Sequence, residues 1–252
     1  MIRGKVVVIT AAIMIGTGLG VTFSMAEAEE KLKVALMDID GLFQADGQGL
    51  YDQLLTTAMG LRKPLFSVRI LPPKRAFSEF ERGHYDCVAP ANTSPYFYDL
   101  KFSTVLSDAL SEAQIFIFTA AGTDPISELK ALRGKLVGMR RGFPLGREAE
   151  ESGLKVMQAE SYETSIRELE EGRIVAFLAY KPDIDIIFAK LKMEPLPHVA
   201  DKPVATHQDS VLCRGNEAGL KAISIINAGL KEMRKNGSFK AITDLHHEKW
   251  AR

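Results

Sequence analysis

An α/β fold of two lobes facing a shared cleft is the class this sequence predicts, and three observations carry it. Short apolar runs of strand character alternate with amphipathic helical stretches along most of the chain, the pattern of parallel sheets covered by helices. The alternation falls into two units of similar size, with no Gly/Ser/Pro-rich linker between them. A helix, a glycine, a strand and a polar loop also occur twice in the same order. They appear in FERGHYDCVAPANTSPYFYDLKFS from Phe80 and in LEEGRIVAFLAYKPDI from Leu169. Polar loops just beyond strands are where α/β proteins hold ligands.

The elements follow in order. KLKVALMDI is a short strand with Val34, Leu36 and Ile39 buried. GLYDQLLTTAMGL places Leu50, Leu54, Leu55, Ala58 and Leu61 on one helical face. LFSVRIL alternates as a strand and stops at Pro72-Pro73; KRAFSEFERG is a helix closed by Gly83, and HYDCVAP is the next strand. In the second unit EAQIFIFTA is a long strand. DPISELKALRG reads as a short helix with Asp124 as N-cap and Pro125 in its first turn. KLVGMR is a strand, PLGREAEESG a helix, LKVMQA a strand and SYETSIRELEEG a helix that Ser161 can cap. RIVAFLAY is a buried strand, PDIDIIFAKL a helix and DSVLCRG a strand. Two closing helices follow, broken at Gly237. This tail is too small to be a domain and must pack on one of the units.

Balanced charge, with 32 basic and 32 acidic residues, leaves no electrostatic footprint for nucleic acid. At the N-terminus, Arg3 and Lys5 precede an uncharged apolar run from Val6 to Phe23, then small residues at Ser24, Ala26 and Ala28. This is the layout of a cleaved export signal over 1–26. The rival is a membrane anchor, which needs roughly 20 apolar residues; Gly16, Gly18 and Gly20 weaken that reading. The expected location is the periplasm. Cys87 and Cys213 both lie in apolar strand-like runs. They could pair in an oxidising compartment or stay as two buried core thiols. Their spacing does not decide, and the expectation is two thiols. The five histidines show no metal-ligand spacing, and there is no nucleophile elbow or phosphate loop, so neither metal nor cofactor is expected.

Several stretches together resemble the bacterial extracellular solute-binding proteins of family 3, the periplasmic receptors of ABC importers for amino acids and other small polar solutes. They are PPKRAFSEFERGHYDCVAPANTS, LKFSTVLSDALSEAQIFIFTAAG, ISELKALRGKLVGMRRGF, SYETSIRELEEGRIVAFLAYKPDI and the closing VLCRGNEAGLKAISIINAGLKEMRKNGSFKAITDLHHEKW. Each is degenerate alone; in this order they span the chain after the N-terminal run. The resemblance implies a type II periplasmic-binding-protein fold with two crossover strands and hinge closure on a solute held between the lobes. Lobe 1 would comprise 27–115 and 206–252, and lobe 2 would comprise 116–205.

Four places fall at cleft-facing strand ends. Asp38 and Asp40 follow the first strand and could accept from an ammonium, or form a solvated loop. Arg75 opens a helix, where the resemblance implies a cleft-facing arginine; pairing with Glu79 is the plain alternative. The loop Asn92, Thr93 and Ser94 suits carboxylate recognition. Amino-acid receptors of the family carry an arginine just after that threonine, and here Ser94, Pro95 and Tyr96 follow instead. No hydroxyl replaces that bidentate fork, so a standard amino-acid ligand is not implied. Tyr96 could stack on a ligand ring or pack the lobe. In the second unit Arg140, Arg141, Gly142 and Phe143 precede a helix and could hold an anion. Tyr180, Lys181 and Asp183 follow a strand. In relatives the amine-binding acid often lies in the preceding strand, where Val175-Ala176 stand here.

The expected function is a non-catalytic receptor, a monomer, holding a small polar or anionic solute for an ABC permease of the inner membrane. The alternatives are a periplasmic dehydratase-like enzyme on the same fold, with an acid from Asp38, Asp40 or Asp183, and a ligand-free interaction or sensor protein.

Overall fold

The structure is a computed structural model that describes residues 30–91, 100–143, 149 and 151–250. The N-terminal signal-like segment, the loop carrying Asn92, Thr93, Ser94 and Tyr96, and most of the helix expected over 144–153 lie outside the described residues.

Among the described residues nine strands form one continuous sheet. β1 (Leu32–Met37) is flanked by β2 (Phe66–Leu71) and β3 (Cys87–Ala91), both parallel to it. At the far end, β6 (Leu136–Arg140) lies parallel to both β7 (Lys155–Ala159) and β8 (Ala176–Lys181). These two parallel limbs are joined by a central antiparallel pair, β5 (Ser111–Phe118) and β9 (Ala205–Arg214). β9 pairs β3, β5 pairs β8, and the short β4 (Thr104–Leu106) also pairs β9. The order is β2-β1-β3-β9-β5-β8-β6-β7. This is the expected pair of α/β units with two strands crossing between them.

The helices lie where the 3.6-residue pattern placed them. α1 (Leu50–Met59), α2 (Pro73–Glu81), α5 (Glu217–Asn236) and α6 (Ser238–Trp250) belong to the first limb; α3 (Tyr162–Glu170) and α4 (Asp183–Leu191) cover the second. Ser161 caps α3, its Oγ accepting from the Thr164 N–H at 3.2 Å. Gly237, with φ +81°, separates α5 from α6.

Three expectations are corrected. The helix expected from Asp124 is only a 3-10 turn over Leu129–Leu132, and Asp124 caps nothing. Its apolar residues Ile126, Leu129 and Leu132 recur every third position, and all three pack into the same core cluster. That spacing matches three residues per turn better than 3.6. The closing strand begins at Ala205, four residues before the run DSVLCRG, because its first half crosses between the limbs with alternating, partly exposed side chains. Cys87 and Cys213 are not separate thiols. They face each other in the β3–β9 register and are joined by a disulfide across 126 residues of chain.

The core divides unevenly. One large cluster fills the first limb, running from Leu32 to Leu110 and on to α5. The second limb is covered by two smaller clusters, one centred on Phe118, Phe177 and Phe188 and the other on Ile117, Leu132 and Leu178. The limbs touch where the loop after β1 meets α4. Gly41, at φ +75°, lies so close to Ile186 that a Cβ there would stand 2.5 Å from its Cδ1. Beside it Lys190 reaches Asp40 at 3.1 Å and Glu163 at 3.4 Å.

Candidate functional site

The carboxyl ends of β1, β3, β6 and β8 converge on one cavity of about 660 Å3 between the two limbs. Its first-limb wall is mostly apolar: Met37 ends β1, Ile39 and Leu42 follow it, and Pro73 and Phe77 come from α2. The second limb contributes Met139, Gly142, Phe143, Gln158, Tyr180 and Asp183, and Asp209 enters from the crossover strand β9. Lys74 and Glu81 stand on α2, one of each sign.

Asp183 is the first residue of α4 and is only 6% exposed. A carboxyl at a helix start faces unpaired backbone N–H groups, and its own N–H donates to it. Burial, reinforced by the charge of Asp209, pushes its pKa up to about 7; the Arg140 guanidinium works against that rise. Asp209 keeps part of its surface open to the cavity while protein encloses it, and burial raises it to about 6. The Tyr51 hydroxyl donates to Asp209 Oδ2 at 2.8 Å and also meets Ser111 Oγ. Ser111 and Asp209 are direct partners across β5 and β9, so this network sits on the two crossover strands themselves.

Arg140 turns inward. Its guanidinium lies 4.4 Å from the Phe143 ring centre and 5.3 Å from that of Tyr162. The Tyr162 hydroxyl accepts from the Tyr180 N–H at 3.1 Å, fixing the end of β8 against α3. Burial raises the Tyr162 hydroxyl far above the ordinary tyrosine range, so it stays protonated.

The residues singled out in the sequence divide by direction. Gly142, Phe143, Tyr180 and Asp183 line the cavity, and Arg140 stands behind Phe143. Arg141 points away and pairs with Glu160 at 2.9 Å, because neighbours on a strand end face opposite sides. Arg75 is exposed on α2, and Asp38 is exposed beyond β1. Lys181 lies on the far face of β8, 3.5 Å from Asp185 and 3.3 Å from His198 Nε2. Sequence reasoning passed over Asp209, Tyr51, Tyr162 and Gln158. The available signal for Asp209 was the alternation over ATHQDS, which puts His207 and Asp209 on one side of a strand.

No family model matches the chain, and no curated protein matches it. Solved structures do. A mutant of ArgBP from T. maritima superposes with a TM-score of 0.67 at 17% identity, covering 86% of this chain and 95% of that one. The GluR0 ligand-binding core from Nostoc punctiforme, in complex with L-glutamate, gives 0.68 at 16% identity over 84% and 97%. An ancestral arginine-binding protein bound to arginine gives 0.63 at 21% identity over 87% and 97%. The fold is therefore that of the type II periplasmic binding proteins.

Proposed function

We propose that this protein is a non-catalytic solute-binding receptor of an ABC importer, exported to the periplasm, that closes its two lobes on a small polar solute. The observation that carries the reading is a cavity bounded by the carboxyl ends of strands from both limbs and by the crossover strand residue Asp209. Such a cavity has walls that separate when the limbs open, which suits capture and hand-over to a permease. The similar structures support it, since they are arginine-binding proteins and a glutamate-bound ligand-binding core. On this reading lobe 1 comprises 27–115 and 206–252, lobe 2 comprises 116–205, and residues 1–26 are the export signal. Among the described residues no helix is long and apolar enough to cross a membrane.

The ligand-contacting set we assign is Phe143, Tyr180, Asp183 and Asp209, with Arg140 and Tyr162 behind them. Thermal-shift screening of the purified protein against amino acids, polyamines, organic acids and sugars tests the reading. A stabilising solute with micromolar affinity, about −8 kcal/mol, is the expected result. Absence of any shift across the panel, repeated by calorimetry, would remove it.

A further inference from the structure

We propose that the solute carries a cationic group, an ammonium or guanidinium, that seats between Asp183 and Asp209 and on seating expels the proton these two carboxyls hold between them. The proposal rests on the receptor reading above and narrows its ligand class.

The charges that reach the cavity decide its sign. Among the described residues, the cations close to it are mostly engaged elsewhere: Arg141 with Glu160, Lys181 with Asp185, and Lys190 with Asp40 and Glu163. Arg140 is held against the faces of Phe143 and Tyr162. On the cavity lining itself Lys74 and Glu81 of α2 are one of each sign and offset each other, which leaves Asp183 and Asp209 as the excess charge among the described residues. Asp183 is more than nine-tenths buried and accepts from its own backbone N–H. Asp209 spends one oxygen on the Tyr51 hydroxyl. Met37, Ile39, Leu42 and Phe77 line much of the space, and apolar surroundings favour the neutral forms of buried acids.

Two buried acids that feel each other cannot both ionise cheaply, and one retained proton relieves the repulsion. The groups facing them are Tyr51 from α1, Ser111 from β5, Arg140 from β6, Tyr162 from α3 and Asp185 from α4. Arg140 is the one charge among these that favours ionised Asp183; Asp185 opposes it. A ligand ammonium placed between the carboxyls replaces the proton as the neutralising charge. The balance is simple: the protonated pair and the cation become two carboxylates with a cation between them, and one proton passes to solvent. Because Asp209 belongs to a crossover strand, the cation also touches one of the two strands that join the limbs.

The test is calorimetric titration at about pH 6.5, between the two ionisations, in phosphate and in imidazole, whose ionisation enthalpies differ. Arginine, ornithine, putrescine and choline are compared with succinate, glutarate and glucose, which carry no cationic group. The expected result is binding of cationic solutes with up to one proton released. Affinity should fall at least about tenfold in Asp183→Asn and in Asp209→Asn, with the release reduced or abolished. The amide keeps an acceptor for Tyr51, and circular dichroism checks that each variant is folded. The wild-type proton count stands even if a variant is not. Binding of succinate, glutarate or glucose with exclusion of every cationic solute overturns the proposal and leaves the receptor reading intact. So does cation binding without proton exchange. Failure of all solutes to bind removes both.

Discussion

The two walls of the cavity are built for different tasks. The first limb presents Met37, Ile39, Leu42, Pro73 and Phe77, a mostly apolar surface on which Lys74 and Glu81 are one of each sign. The second limb and the crossover bring Asp183, Asp209, Tyr180 and, behind them, Arg140. The scaffolds differ in the same sense. The first limb rests on one large core, helices α1, α2, α5 and α6, and a disulfide, whereas the second divides its apolar residues between two smaller clusters. On the receptor reading proposed above, the apolar wall would shape the solute and the acids of the second limb and the crossover would read its charge, and their burial is a stability cost.

That contrast can be broken in graded ways. Opening the Cys87–Cys213 bond should have the largest effect. Closing a loop of 126 residues removes denatured-state entropy equivalent to about 4 to 5 kcal/mol in the chain-entropy model. Thermal melts with and without reductant should show a large drop in Tm that Cys87→Ala with Cys213→Ala reproduces. An unchanged melt would mean that the first limb does not depend on its covalent tie.

Asp183→Asn should come next, and with the opposite sign. The folded-state pKa of Asp183 is raised from 3.8 to about 7, so the native state binds more protons than the unfolded chain between those values. Stability therefore declines as pH rises through that window, and the penalty is complete above it. Removing the charge should stabilise the ligand-free protein at about pH 8 by on the order of 3 kcal/mol and by nearly nothing at about pH 4. Melting curves of both proteins at the two pH values check this; equal gains at both would show that the effect is not ionisation.

Close packing separates the limbs further. A Cβ on Gly229 of α5 would lie 1.9 Å from the Ala58 carbonyl oxygen of α1, a clash with backbone. On Gly138 of β6 the nearest atom is the flexible Ile174 Cδ1 at 2.8 Å. Denaturant titration should find Gly229→Ala destabilising by about 2 to 3 kcal/mol and Gly138→Ala by about 1 kcal/mol. The reverse order would mean that α1 and α5 shift apart easily.

The smallest effect belongs to Lys190. Its pairs with Asp40 and Glu163 are exposed, and Lys190→Met should change unfolding stability by less than about 1 kcal/mol. Any difference should shrink with added salt, and a large, salt-insensitive loss would mark the bridge as a true clasp between the limbs.

Much of this architecture was legible because it depends on local period and punctuation. LKVALM, SVRIL and AFLAYK are strands in any context that can bury them, and Ser161 and Gly237 mark helix boundaries by backbone chemistry alone. The short motif after Asp124 failed because its threefold apolar spacing was read as a helix of ordinary pitch. Half of β9 escaped notice because a crossover strand, exposed along alternate positions, lacks the continuous apolar run of its buried end.

The site was harder to read, and particular residues show why. Arg140 and Arg141 are chemically identical in sequence; the direction of the strand end turns one onto Phe143 and the other onto Glu160. Lys181 and Asp183 are two residues apart, yet one faces His198 and the other the cavity. Cys87 and Cys213 carried no pairing signal until the register of β3 against β9 set them opposite each other. The sequence by itself determined the alternation of elements, the class of fold and the candidate loops, because hydrophobic period and capping act over a few residues. Only the tertiary structure decided which side chains meet across the cleft. Burial and the field of Asp209 on Asp183 arise between segments that are distant in the chain and adjacent in space.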